Sequence, residues 1–169
     1  MNIPKNIWFN PTLAARRKAG TLTLEDCVLI AAASAIAGLF PASRVDVGNR
    51  KSGVHPPELA VNLYGQTNRQ LLADTNQYRF SVEITYIPAD STDRAEINHA
   101  LFQLLQLDRL DSDAGLFRLR DKASDVTDGL GHVTGTVTVA EQSVPTDEDG
   151  PVIHEADEII QKAETEVVS

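Results

Sequence analysis

The stretch QYRFSVEITYIPADSTDRAEINHALFQLL, residues 77–105, holds a strand, a stop and a helix in immediate succession. Phe80, Val82, Ile84 and Tyr86 alternate with Arg79, Ser81, Glu83 and Thr85, the period-two pattern of a strand with one buried face. Pro88 ends it, because proline brings no N–H to a ladder. Ser91 or Thr92 then offers a helix cap, and Asp93 and Glu96 suit the positive end of a helix dipole. Ile97, Ala100, Leu101, Leu104 and Leu105 recur at helical spacing. The strand's apolar side should therefore seat Ile97, Leu101 and Leu104, leaving Arg79, Glu83 and Thr85 on a polar face open to a neighbour.

Working upstream, TLTLEDC places Thr23 as an N-cap with Asp26 three residues on, ahead of an apolar helix that runs to about Phe40 and stops at Pro41. Leu24, Val28, Ala31, Ala35, Ile36 and Leu39 share a face, but Leu29, Ile30 and Ala32 broaden it. Such a helix is buried on more than one side. Strands follow at 43–50 and at ELAVNLYG, 58–65, separated by the polar loop KSGVHPP. Downstream, DRLDSDAG reads as a solvated turn. Two further strands, 116–126 and 131–142, flank the hairpin signal TDGLG. The order α-β-β-β-α-β-β predicts an α+β domain: a mainly antiparallel sheet of about four or five strands with two helices on one face, plus extended N- and C-terminal arms.

The charge distribution sets the ends apart. Residues 1–20 carry Lys5, Arg16, Arg17 and Lys18 with no acid, whereas 141–169 carry nine acids against Lys162, in a chain of formal net charge −9. We divide the chain into a basic arm (1–21), an α+β domain (22–142), and an acidic linker with a short amphipathic helix (143–169) striped by Ile153, Ala156, Ile160, Ala163 and Val167. The overall acidity argues against tight nucleic-acid binding, since no large basic face is available to displace counterions. The apolar run at 28–40 is too short to span a bilayer, the N-terminus does not resemble a signal peptide, and a cytoplasmic site of assembly is expected.

A search for chemistry returns little. His55, His99, His132 and His154 follow no metal-ligand spacing. Gly129, Gly131 and Gly135 do not form a dinucleotide fingerprint, and neither a phosphate loop nor a nucleophile elbow is present. Asp108, Asp111 and Asp113 lack the glycine and closing glutamate of a calcium loop. Cys27, the single cysteine, reads as a small buried residue. No catalytic, cofactor-binding or metal-binding residue is assigned, and the expectation is a protein that is not an enzyme. The candidates left are interface residues: Trp8, Phe9, Arg16, Arg17 and Lys18 in the arm, Arg69 and Arg79 around the central hairpin, and Ile153, Ile159 and Ile160 in the tail.

The succession of a capped apolar helix ending LFP, then ELAVNLYG, QYRFSVEITYIP and DRAEINHALFQLL, closing on paired strands, resembles the tail terminator proteins of long-tailed phages, in particular those with contractile tails. Tyr78, Phe80, Val82, Ile84, Tyr86 and Pro88 echo that family's middle strand, while Ile87 stands where an aromatic is usual. The resemblance covers about residues 22–140. It implies a virion structural protein of the tail or neck, assembled in the host cytoplasm as a homohexameric ring at the head-proximal end of the tail tube. Such a ring halts tube and sheath polymerisation and joins the tail to the neck or connector. The implied partners are other copies of the chain, the tube protein, the sheath protein if the tail contracts, and the neck or connector protein. DNA passes through the channel without sequence-specific binding, and no membrane is involved. Two other readings stay open: a different neck or tail-completion protein of a phage or phage-like particle, and a small cytoplasmic enzyme or ligand-binding domain.

Overall fold

A computed structural model describes residues 3–48, 53–72 and 74–142. Its elements in chain order are β1 (Ile7–Phe9), α1 (Pro11–Ala19), α2 (Leu24–Leu39), β2 (Arg44–Val47), β3 (Glu58–Leu72), β4 (Thr75–Ile87), α3 (Arg94–Leu105), β5 (Arg109–Ser112), β6 (Gly115–Thr127) and β7 (Leu130–Gln142). The strands form one seven-stranded sheet in the order β1-β2-β3-β4-β7-β6-β5. Two compact units emerge from the contacts: among the described residues the second comprises 69–72, 74–77 and 140–142, and the first the rest. In the second unit the far end of the β3–β4 hairpin exposes Arg69, Leu71 and Leu72.

The expected antiparallel sheet of four or five strands with two helices is corrected to a mixed, curled half-barrel of seven strands with three helices. The five anticipated strands are present. Two short ones, β1 and β5, are added, one at each end of the sheet. β1 pairs in parallel with β2, and β2 in parallel with β3, whereas β5–β6 and β6–β7 are antiparallel. Residues 3–20, expected as an extended arm, fold into β1 and α1 and bury Leu13 completely. DRLDSDAG is not a solvated turn: its residues Arg109–Ser112 form β5, and Leu110 within it is fully buried. The anticipated tail helix lies outside the described residues.

The curl follows from the position of α2. It contacts β1 and β2 at one end of the sheet and β5 and β6 at the other. In a flat sheet, six inter-strand steps would hold those ends about 29 Å apart, more than the roughly 24 Å length of this sixteen-residue helix. The sheet must therefore wrap around α2, and this explains why the helix is apolar on nearly every side. Val28, Ile30, Ala31, Ala32, Ala33 and Ile36 have no solvent exposure at all. Thr23 and Asp26 close a reciprocal capping box at its start. At its end the Asn6 side-chain amide donates toward the carbonyls of Ala37, Phe40 and Ser43, at 3.5, 3.2 and 2.9 Å, satisfying acceptors that a helix terminus leaves open.

The inner face of β4 is the one anticipated: Phe80, Val82, Ile84 and Tyr86 are all buried. Tyr86 joins both helices. Its ring lies 6.1 Å from that of Phe40, just past α2, and its hydroxyl donates to Glu96 Oε1 of α3 at 2.5 Å. Burial and then the Glu96 carboxylate push its pKa well above the ordinary phenol value. Gly131 and Gly135 of β7, which gave no cofactor signature, serve packing. A Cβ on Gly131 would lie 2.9 Å from Leu101 Cδ2, and one on Gly135 would lie 2.7 Å from Leu119 Cδ1. Gly131 thus lets α3 approach the sheet closely.

Candidate assembly surfaces

The basic N-terminal segment is built inward. Asn10 caps α1 by accepting from the Leu13 amide at 2.8 Å, Pro11 occupies the first turn, and Gly20 ends the helix in the left-handed conformation. This geometry carries Arg16 onto Asp26, whose carboxylate receives Nε at 2.7 Å and Nη2 at 2.5 Å. Asp26 is 1% exposed. Burial acts to raise its pKa, but hydrogen bonds from Arg16 and from Thr23 more than offset this and hold it below the ordinary carboxylate value. Arg17 lies over the Phe9 ring at 5.4 Å, and Arg44 over the exposed Trp8 ring at 4.3 Å. Of the arm cations proposed for an interface, Lys18 alone points to solvent with no partner among the described residues.

Beside Trp8, the outer face of β2 and β3 carries two buried carboxylates, Asp46 and Glu58. Arg44 binds Asp46 through Nε and Nη2 at 3.0–3.2 Å, and Glu58 Oε2 accepts from the His55 amide at 2.8 Å. Burial, followed by the neighbouring Glu58, raises the Asp46 pKa despite Arg44. We read the group as structural: it ties β1, β2 and the start of β3 together.

The outer face of β4, β7, β6 and β5 is polar, as the alternation in β4 anticipates. His132 Nδ1 lies 3.3 Å from both Thr85 Oγ1 and Glu83 Oε1. Arg79 Nη2 reaches Asp121 Oδ2 and Thr136 Oγ1, each at 3.4 Å, and remains more than half exposed. Farther along, Arg109 stands directly opposite Arg118, and Arg120 opposite Thr136. Arg118 and Arg120 make no ion pair among the described residues, and Arg109 meets only Asp111, at 3.6 Å. Like charges directly opposite one another destabilise a strand pair, an effect that Asp108 opposes here, its carboxylate held below the ordinary value by Lys122 and then by Arg120 and Arg118. Sequence reasoning missed this row, although LFRLR alternates its arginines with Phe117 and Leu119. Among the remaining candidates, Arg69 is exposed in the second unit, and Ile153, Ile159 and Ile160 lie outside the described residues.

Among the described residues no cluster of His, Cys, Asp and Glu is placed to hold a metal. One groove of about 340 Å³ runs along the first unit, lined by Glu25, Gln66, Thr67, Asn68 and the stacked rings of Tyr78 and Phe80. Glu25 is its one charged group, and the lining offers no nucleophile paired with a base. Cys27 lies partly buried outside it, its thiol pKa raised by burial and then by the Asp26 charge.

A family model described as phage tail terminator protein matches residues 28–149, from within α2 past the end of β7. No curated protein matches the chain. Solved structures match as well. One of them is 17% identical over 81% of this chain and 99% of its own, with a TM-score of 0.33, too low to bear on fold or function.

Proposed function

The chain belongs to the phage tail terminator family, a family of structural tail proteins, and from that premise we propose that it forms a ring closing the head-proximal end of a tail tube. In this reading the ring is a homohexamer. It stops the addition of tube protein (and of sheath protein where the tail contracts) and offers its opposite side to the neck or connector, with DNA passing through the centre. The match across the α2-to-β7 core is the observation that carries the proposal. The disposition of side chains supports it. A sheet wrapped on a buried helix makes a stiff body, and Arg79, Arg109, Arg118 and Arg120 give its outer face cations for an acidic surface on a neighbour.

Negative-stain microscopy of the purified protein, together with growth of tubes from purified tube protein in its presence, tests this reading. Six-fold rings and shortened, capped tubes are expected. A protein that stays monomeric at high concentration and leaves tube length unchanged overturns the proposal.

A further inference from the structure

The groove beside the start of α2 combines aromatic surface with one negative charge. Its walls are Gln66, Thr67 and Asn68 of β3, the stacked rings of Tyr78 and Phe80 of β4, and Glu25 of α2. Its volume of about 340 Å³ lies at the small end of ligand-sized clefts and is ample for one long side chain. Glu25 and the β3 residues are exposed, Tyr78 is half-buried and Phe80 is buried. The groove therefore leads from solvent onto a ring surface.

The charges around it do not cancel. Arg16 and Asp26 line an adjoining cavity that also includes Glu25. Arg16 feels the Glu25 charge, but it gives its two hydrogen bonds to Asp26, and those two charges offset each other. Thr23 and Asp26 close the capping box at this end of α2. Glu25 is left as the net charge facing the groove, with no hydrogen bond or ion pair of its own among the described residues. A carboxylate beside an aromatic wall suits a guanidinium, which stacks flat on a ring while its N–H groups reach the carboxylate.

The other face of the same sheet offers that group. Tyr78 and Phe80 face inward, so Arg79 between them points outward with the arginine row. Arg79 is engaged by Asp121 and Thr136, and Arg109 by Asp111. Asp108 feels Lys122 most, then Arg120, and Arg118 least. Arg118 is the least engaged cation of the row, exposed and set directly opposite Arg109.

We propose that the groove walled by Glu25, Tyr78 and Phe80 is a guanidinium site, and that its occupant is Arg118 of a second copy of this chain. Charge complementarity carries the choice: pairing with Glu25 offsets the repulsion that Arg118 meets from Arg109. The arrangement also sets the symmetry. The groove lies on the inner side of the sheet and Arg118 on the outer, so each copy gives its arginine to one neighbour and receives one from another. Such head-to-tail contacts close into a ring, which a two-fold pair does not. The proposal deepens the ring reading and rests on it, since it names the side chains through which copies meet.

The test reverses the charges in the full-length chain: Glu25→Lys, Arg118→Glu, and the two together. Mass is read by light scattering over a wide range of concentration, and folding by circular dichroism and thermal melting. Wild type is expected to assemble. Each single reversal should need about tenfold more protein to do so, and the double reversal should return to within about threefold of wild type. All three should melt within about 4 °C of wild type, as exposed substitutions do. Should a reversal misfold, Glu25→Gln and Arg118→Gln remove the charge alone and should need about threefold more protein than wild type. If wild type assembles and the single variants match it, or if the double reversal stays as weak as the singles, the proposal is overturned while the ring survives. If wild type stays monomeric throughout, both fail.

Discussion

Arg16 grips Asp26 through two hydrogen bonds of 2.7 and 2.5 Å, and in doing so locks α1 onto the capping box that starts α2. Asp26 is buried and its pKa is held low, so its contribution is complete above the unfolded carboxylate value of about 3.9 and is lost as pH falls through the folded value. Asp26→Ala should destabilise the protein by about 2–3 kcal/mol at pH 7, combining a lost cap with lost charged hydrogen bonds. The partial exposure of Arg16 places the expectation below that for a fully buried pair. Denaturant titrations from pH 6 to pH 2 should show the gap to wild type narrowing toward acid. A gap of constant size would remove the charge as its source.

Deleting residues 1–20 should do more than trim a basic appendage. It removes β1, the buried Leu13, the Asn6 amide from the end of α2 and the partner of Asp26. We expect a melting temperature at least 10 °C lower, or insoluble protein. Arg17→Ala with Lys18→Ala, which removes half of the segment's cations, should shift stability by no more than about 1 kcal/mol, the scale of an exposed cation–π contact. Equal melting of the deletion and the double variant would contradict the inward-built segment described above.

Gly135→Ala is predicted to cost about 1–3 kcal/mol through overpacking. The new methyl would stand 2.7 and 2.9 Å from Leu119 carbons and 3.3 Å from the Arg120 carbonyl oxygen. Gly38→Ala is the control, because nothing lies within 4 Å of its Cβ position; within a helix it should stabilise by a few tenths to about 1 kcal/mol. Thermal melts that rank the two variants the other way would refute the packing account.

Arg118→Thr should behave unusually for a surface change. Removing a cation from opposite Arg109 should raise the stability of the isolated chain by about 0.2–1 kcal/mol, while weakening capping of tail tubes by the same protein. Loss of stability, or undiminished capping, would count against the row as a contact surface.

The elements that could be read from sequence are those whose signal is local and repeated. The alternation from Phe80 to Tyr86, the capping box at Thr23 and Asp26, and the stripe from Ile97 to Leu104 each span at least one period. β1 and β5, at three and four residues, are too short for periodicity to register. The parallel pairing of Ile7 with Val45, and of Val45 with Leu59, joins segments far apart in sequence. α1 was legible but overlooked. Asn10 before Pro11, with Gly20 nine residues on, is a start and stop signal within the segment read as an arm. The candidate surfaces followed the same pattern. The polar face of β4 was evident, whereas the Arg109–Arg118 opposition required the register of a strand that had been read as a turn.

The alanines of α2 carry a dimensional consequence. Ala31, Ala32, Ala33 and Ala37 are all buried where the sheet bends around the helix, so the girth of α2 acts as a gauge for the radius of that bend. A bulkier side chain at these positions has no void to enter and must push the strands outward. Four buried methyl groups thus set the curvature of a seven-stranded sheet.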